Sequence, residues 1–220
     1  MVCIAIDGPA GSGKSSVAKL VAKKLGFVNV DTGALYRAVA YFFKVGKVNT
    51  DSKIDLEKAL KGINLEARSI KGDFRVFLNG DDVTENLRSE EISLLASKIS
   101  KIGAVREFLL DLQRDFAKKA NVVMDGRDIG TVIMPDAKVK IFLTASLEQR
   151  AARRRKDFGV GASFQDVLKD LEKRDFQDVN REISPLKKAQ DAVLVDNTSM
   201  TLKETVDKIC DIARERAELK

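Results

Sequence analysis

Histidine and tryptophan are both absent from the 220 residues. Without imidazole there is no Ser-His-Asp or Cys-His hydrolase, no His-ligated zinc and no imidazole base. Cysteine occurs only at Cys3 and Cys210, with no CxxC spacing. Two thiolates cannot close a four-cysteine zinc site, and the pair reads as free thiols of a reducing compartment. Three prolines beside 14 glycines exclude a collagen-like or proline-rich linker protein. Aromatic residues make up 6%, too few for basic stripes interleaved with stacking rings. No apolar run reaches the roughly 18 residues of a membrane span. The first residues carry neither the charged n-region nor the cleavage site of a signal peptide. No apolar surface stripe is left over for a partner. The expectation is a soluble cytoplasmic monomer that binds neither nucleic acid nor membrane. Its chemistry must use Arg, Lys, Asp, Glu, Ser, Thr, backbone amides or a bound cation.

What is present is ordinary for a globular domain: 44% hydrophobic and 33% charged residues, with 39 Lys and Arg against 33 Asp and Glu, a net +6. Short apolar runs at 2–6, 27–30, 122–124, 139–143 and 192–195 lack polar alternation. Such runs predict strands buried on both faces, as in a parallel sheet. Helical patterns lie between them, at 15–25, about 34–43, 90–119 and 201–217. Strand and helix in alternation predict an α/β fold with right-handed crossovers. Two segments break the rhythm. Residues 63–83 place the turn signals Lys71-Gly72-Asp73 and Asn79-Gly80-Asp81 between β-prone pieces, predicting a small antiparallel meander. Residues 149–181 are charge-dense and carry Gly159 and Gly161 in an expected turn. They read as a solvated helix pair or a mobile lid.

Gly8-Pro9-Ala10-Gly11-Ser12-Gly13-Lys14-Ser15 fits G-x4-G-K-[ST] between the first strand and the first helix, the context this motif requires. Small residues let the backbone curl so that its N–H groups point at a phosphate, and the helix N-terminus adds partial positive charge. Lys14 is expected to reach the outer phosphates of a nucleoside triphosphate. Ser15 is expected to ligate Mg²⁺, and Ser16 to touch a phosphate. The loop alone allows a GTPase switch, a motor, a helicase or a small kinase. The length leaves no room for a second helicase core, and no N-K-x-D element follows a strand.

The acceptor side narrows this further. Asp31-Thr32-Gly33-Ala34-Leu35-Tyr36-Arg37 follows the second strand, with Thr32 expected to cap the next helix. This pattern resembles the nucleoside monophosphate kinases. Asp125-Gly126-Arg127-Asp128-Ile129-Gly130-Thr131-Val132, Lys140-Ile141-Phe142-Leu143-Thr144-Ala145 and Arg174-Asp175-x-x-Asp178-x-Asn180-Arg181 resemble the bacterial cytidylate (CMP) kinases. The resemblance runs along essentially the whole chain and includes the meander. It implies a P-loop NTPase core with a five-stranded parallel sheet flanked by helices, at about 1–35, 107–147 and 182–220. A monophosphate-binding subdomain of antiparallel β plus helix would occupy about 36–106, and a helical lid about 148–181.

By the same resemblance, ATP would phosphorylate CMP or dCMP, with Mg²⁺ accompanying ATP. Thr32, Arg37, Ser97, Arg106, Arg127, Asp128, Arg174, Asp178 and Arg181 would form the CMP site. Within it Ser97 and Arg106 would read cytosine, and Asp178 would take the pentose hydroxyls. Lys14, Arg127, Arg154 and Arg181 would act on the transferring phosphoryl group. At helical spacing Arg150, Arg153 and Arg154 share a face, and these lid arginines are expected over ATP. Asp125 ends its strand either as a water-mediated Mg²⁺ partner or as a holder of the turn. Rival readings are a kinase of AMP, UMP, GMP or shikimate, and a nucleic-acid-binding P-loop protein suggested by the +6 charge.

Overall fold

The computed structural model describes residues 1–70, 72–158 and 163–219, so Lys71 and the expected turn at Gly159 and Gly161 lie outside the described residues. Strand β1 (Cys3–Asp7) leads to helix α1 (Lys14–Leu25), and β2 (Val28–Asp31) leads to α2 (Thr32–Val45) and α3 (Lys53–Lys61). Next come β3 (Leu65–Ile70), β4 (Asp73–Leu78), β5 (Asp81–Asp82), a 3-10 turn at Thr84–Arg88, α4 (Glu90–Ile99) and α5 (Gly103–Lys119). The chain then returns as β6 (Val122–Gly126), a π-type turn (Ile129–Ile133), β7 (Val139–Thr144), α6 (Leu147–Phe158), α7 (Phe164–Asn180), β8 (Val193–Asp196) and α8 (Leu202–Ala217).

The five apolar runs pair as one parallel sheet in the order β2-β6-β1-β7-β8. All five residues of β1 are buried. Ile4 and Ile6 join the layer under α1 and α8, while Cys3 and Ala5 face the opposite layer with Met124 and Ile129. Helices on both faces thus explain the unbroken apolar runs. Both cysteines are buried free thiols. From β1 the chain crosses first towards β2 and later, through β7, to the other side. The crevice at the carboxyl ends of the strands opens at this switch point.

The meander forms the second, antiparallel sheet, β3-β4-β5. Asn79 and Gly80 both take positive φ, 52° and 93°, as the tight turn between β4 and β5 demands. This sheet, α2, α3, α4 and part of α5 share their own core around Leu35, Val39, Phe43 and Leu109. One expected helix at 90–119 is two. Ser100 ends α4, Ile102 is extended at φ −86° and ψ 119°, and α5 restarts at Gly103. Helix α3 was not anticipated. Only Leu56 and Leu60 are buried in it, under a Ser52 cap that accepts from Asp55 N, so its apolar signal is one i, i+4 pair. Among the described residues no helix is long and apolar enough to cross a membrane.

Candidate active site

The phosphate loop runs from the end of β1 to the start of α1. A Cβ on Gly8 would stand 2.0 Å from Leu143 O, and Gly13 has φ 88°. The motif glycines therefore meet a steric and a torsional demand. Gly13 occupies the cap of α1 and no side chain caps it, so the first-turn N–H groups remain available to an anion. Lys14 is buried and its Nζ donates to Pro9 O at 2.6 Å and Ser12 Oγ at 3.3 Å. Ser15 Oγ donates to Asp125 Oδ2 at 2.7 Å. Asp125 Oδ1 is buried with no hydrogen-bond partner among the described residues.

Asp31, not Thr32, caps α2. Its carboxylate accepts from Ala34 N and from Arg37 Nη2, both at 2.9 Å. Thr32 begins the helix and donates from Oγ1 to Asp125 O at 2.6 Å, because an extended Asp31 already supplies the capping oxygen. Past β6, Arg127 Nε donates to Asp178 Oδ2 at 2.8 Å. Asp128 turns the other way and pairs with Arg106, with Arg181 Nη2 at 3.4 Å on its second oxygen. The Tyr36 ring lies 5.9 Å from the Arg106 guanidinium carbon, within cation–π range. Arg174 pairs with Asp170 at 2.9 Å, and its Nη2 is buried without a hydrogen-bond partner among the described residues.

These two halves face each other across a cleft of about 330 Å³. Ala10, Gly11, Gly13, Lys14, Ser15 and Ser16 line one end. Thr32, Arg37, Ser97, Arg106, Arg127, Asp128, Arg154, Arg174, Asp178 and Arg181 line the rest, with Asp125 on the floor. Tyr36, Ser93 and Ser100 also line it. Sequence reasoning missed them, although Ser93, Ser97 and Ser100 recur at helical spacing, a signal that could have linked them.

Arg150 and Arg153 depart from the expectation that they cover ATP, because both are spent on bonds beneath the phosphate loop. Arg150 Nε donates to Ala145 O at 3.0 Å, and its Nη1 donates to Ala10 O at 2.9 Å and Asp175 Oδ2 at 2.6 Å. Asp175 in turn accepts from Ala10 N at 3.2 Å. Arg153 donates to Asn197 Oδ1 and O at 2.9 and 2.8 Å, and Asn197 Nδ2 donates to Ser12 O at 3.1 Å. A shared helical face says nothing of which acceptors stand opposite each turn. Only Arg154 of the three lines the cleft.

Residues 4–215 match the family model described as cytidylate kinase. The chain belongs to the cytidylate kinase family. A cytidylate kinase of Thermotoga neapolitana is 49% identical over 217 residues, covering 97% of each chain. One of Thermosipho africanus is 48% identical over 220 residues, covering 99% of this chain and 96% of its own. A crystal structure of shikimate kinase from Bacteroides thetaiotaomicron superposes with a TM-score of 0.50 at 15% identity, covering 99% of both chains. That likeness is one of fold.

In this member of the cytidylate kinase family, burial sets the electrostatics of the cleft. Burial, then the nearby Arg127 charge, hold the Lys14 ammonium below its ordinary pKa. Burial, then the Asp31 charge, raise the Asp125 carboxyl. Burial also raises Asp128, against the pull of Arg106 and Arg181. A polyanion bound at the loop would reverse the first of these shifts by restoring opposite charge beside Lys14.

Proposed function

We propose that the protein transfers the γ-phosphoryl group of ATP to a phosphate oxygen of CMP or dCMP, giving ADP and CDP or dCDP. The observation that carries this reading is the single cleft joining Lys14 and Ser15 at one end to the Arg106–Asp128–Arg181 cluster at the other. The attacking phosphate has a second pKa of about 6, so it is largely ionised at neutral pH. No general base is needed, consistent with a chain that has no histidine. As the acceptor oxygen bonds to the γ-phosphorus, the bond to the β-bridging oxygen breaks and ADP leaves with its electron pair.

Such a loose transition state is accelerated by positioning and by charge. Lys14 and the loop amides would hold the ATP phosphates. Arg37, Arg127 and Arg181 would hold the acceptor phosphate and the transferring group, since guanidinium forks match phosphate oxygens. Arg154 would add charge from the lid side. Asp178 and Arg174 would take the pentose. Ser15 and the unpartnered Asp125 oxygen are hard donors suited to Mg²⁺ and its water, and the ion would neutralise phosphate charge when bound.

The base is read by charge pairing. The cytosine edge offers an amino donor beside acceptor nitrogen and oxygen. Asp128 would accept from the amino group, while Arg106 and Ser97 would donate to the acceptors. Uracil presents the opposite polarity at two of those positions, so it leaves buried groups unpaired. A coupled ADP-release assay over CMP, dCMP, UMP, AMP and GMP tests the reading. Turnover with CMP or dCMP well above the others is expected. Faster turnover with AMP or GMP would overturn it.

A further inference from the structure

Asp7 is the last residue of β1 and bonds covalently to Gly8, where the phosphate loop begins. Its carboxylate is buried and does not line the cleft. It points across the sheet end instead. Oδ1 accepts from Ile129 N at 2.7 Å and Oδ2 from Gly130 N at 2.8 Å. These amides open the π-type turn that immediately follows Arg127 and Asp128. The first N–H groups of a helical turn have no partner within it, and one carboxylate satisfies both. The turn is confined on its other sides as well. A Cβ on Gly130 would meet Lys140 Cδ at 3.2 Å and Asp7 Oδ2 at 3.4 Å. A Cβ on Gly126 would meet Ile129 Cδ1 at 2.7 Å.

We propose that Asp7 is a positioning residue: by fixing the Ile129 and Gly130 amides it sets how Arg127 and Asp128 project into the acceptor end of the cleft. The proposal rests on the phosphoryl-transfer reading above. Asp7 touches neither nucleotide and acts through the backbone of the turn. It ties the start of the loop that holds the donor to the segment that holds the acceptor. In-line transfer depends on that relative placement, and misplacement of about 1 Å costs on the order of 100-fold.

Asparagine at this position keeps one acceptor but turns an amino group towards an N–H donor. Steady-state kinetics of Asp7→Asn, with CMP and MgATP varied separately, test the idea. The CMP KM should rise about tenfold or more and kcat should fall, with the MgATP KM within about twofold of wild type. Asp7→Glu, which keeps both acceptor oxygens, should recover part of the loss. Gly130→Ala crowds the same turn against the Lys140 side chain, with its Cβ 3.2 Å from Cδ, and should reproduce the split, so it decides the matter if Asp7→Asn does not fold. Wild-type constants in folded Asp7→Asn, or equal loss for CMP and MgATP, would overturn the proposal. A wild-type protein that does not turn over CMP or dCMP would instead overturn the functional reading beneath it.

Discussion

Arg106 of α5 and Asp128, just past β6, form an ion pair buried on both sides, with 9% and 6% of their side chains exposed. A pair this buried is expensive to desolvate and does not by itself argue for stability. Its position in the cleft, where the proposed function sets the base, argues for selectivity. Asp128→Asn should therefore lower the preference for CMP over UMP by about 100-fold in kcat/KM. Initial rates with the two acceptors, each at limiting concentration, check this. Unchanged discrimination would remove Asp128 from the base contact.

Arg127 is held by Asp178 beside the phosphate loop. Arg127→Ala should cost about 10³-fold in kcat, the scale of a transition-state arginine, while the fold survives. The coupled assay and a circular dichroism spectrum together report it. Asp178→Ala should instead raise the acceptor KM and spare MgATP. Parallel losses of both affinities would indicate damage to the fold.

Arg150 lies under the loop. Arg150→Ala would leave Asp175 without its charged partner, with only the Ala10 N–H bond, and Ala10 O without its donor. The expected cost is about 3 kcal/mol of stability, read by urea denaturation, together with a higher ATP KM. Arg154→Ala, at the cleft surface, should lower kcat with little change in the denaturation midpoint. Equal stability of the two variants would refute the division between them.

Asp7 also has a signature in stability. Burial raises its carboxyl from 3.8 to about 6. Between those values the folded chain holds a proton that the unfolded chain has released. This contribution is present below about pH 4 and is lost as pH rises through about 6. It amounts to about 3 kcal/mol at most. Asp7→Asn removes the titration, so wild type minus variant stability should fall from pH 4 to pH 6.5. Parallel pH curves would show that Asp7 titrates at an ordinary value.

The parallel sheet, the meander and the phosphate loop were legible because each rests on local pattern: unbroken apolar runs, the Asn79-Gly80 turn, glycines at fixed spacing. The residues lining the cleft beyond the phosphate loop were legible through motif resemblance, since Arg37, Arg127, Asp128, Asp178 and Arg181 sit in recognisable strings. Other features depend on long-range contacts. The break between α4 and α5 hides in a pattern that stays amphipathic across Ser100 and Ile102. The bonds of Arg150 and Arg153 to Ala10 and Asn197 span 140 and 44 positions, and no helical-face argument contains them. Asp7 looks like a strand end until the sheet order brings β6 beside β1.

Four arginines of the cleft are already matched by carboxylates: Arg37 with Asp31, Arg106 with Asp128, Arg127 with Asp178 and Arg174 with Asp170. Phosphate binding there, as proposed, would be an exchange of partners rather than capture by a bare positive hole. A nucleotide with several anionic groups in the right places can displace them together. On the proposed function the cleft would select its ligand by cooperativity of displacement rather than by net charge.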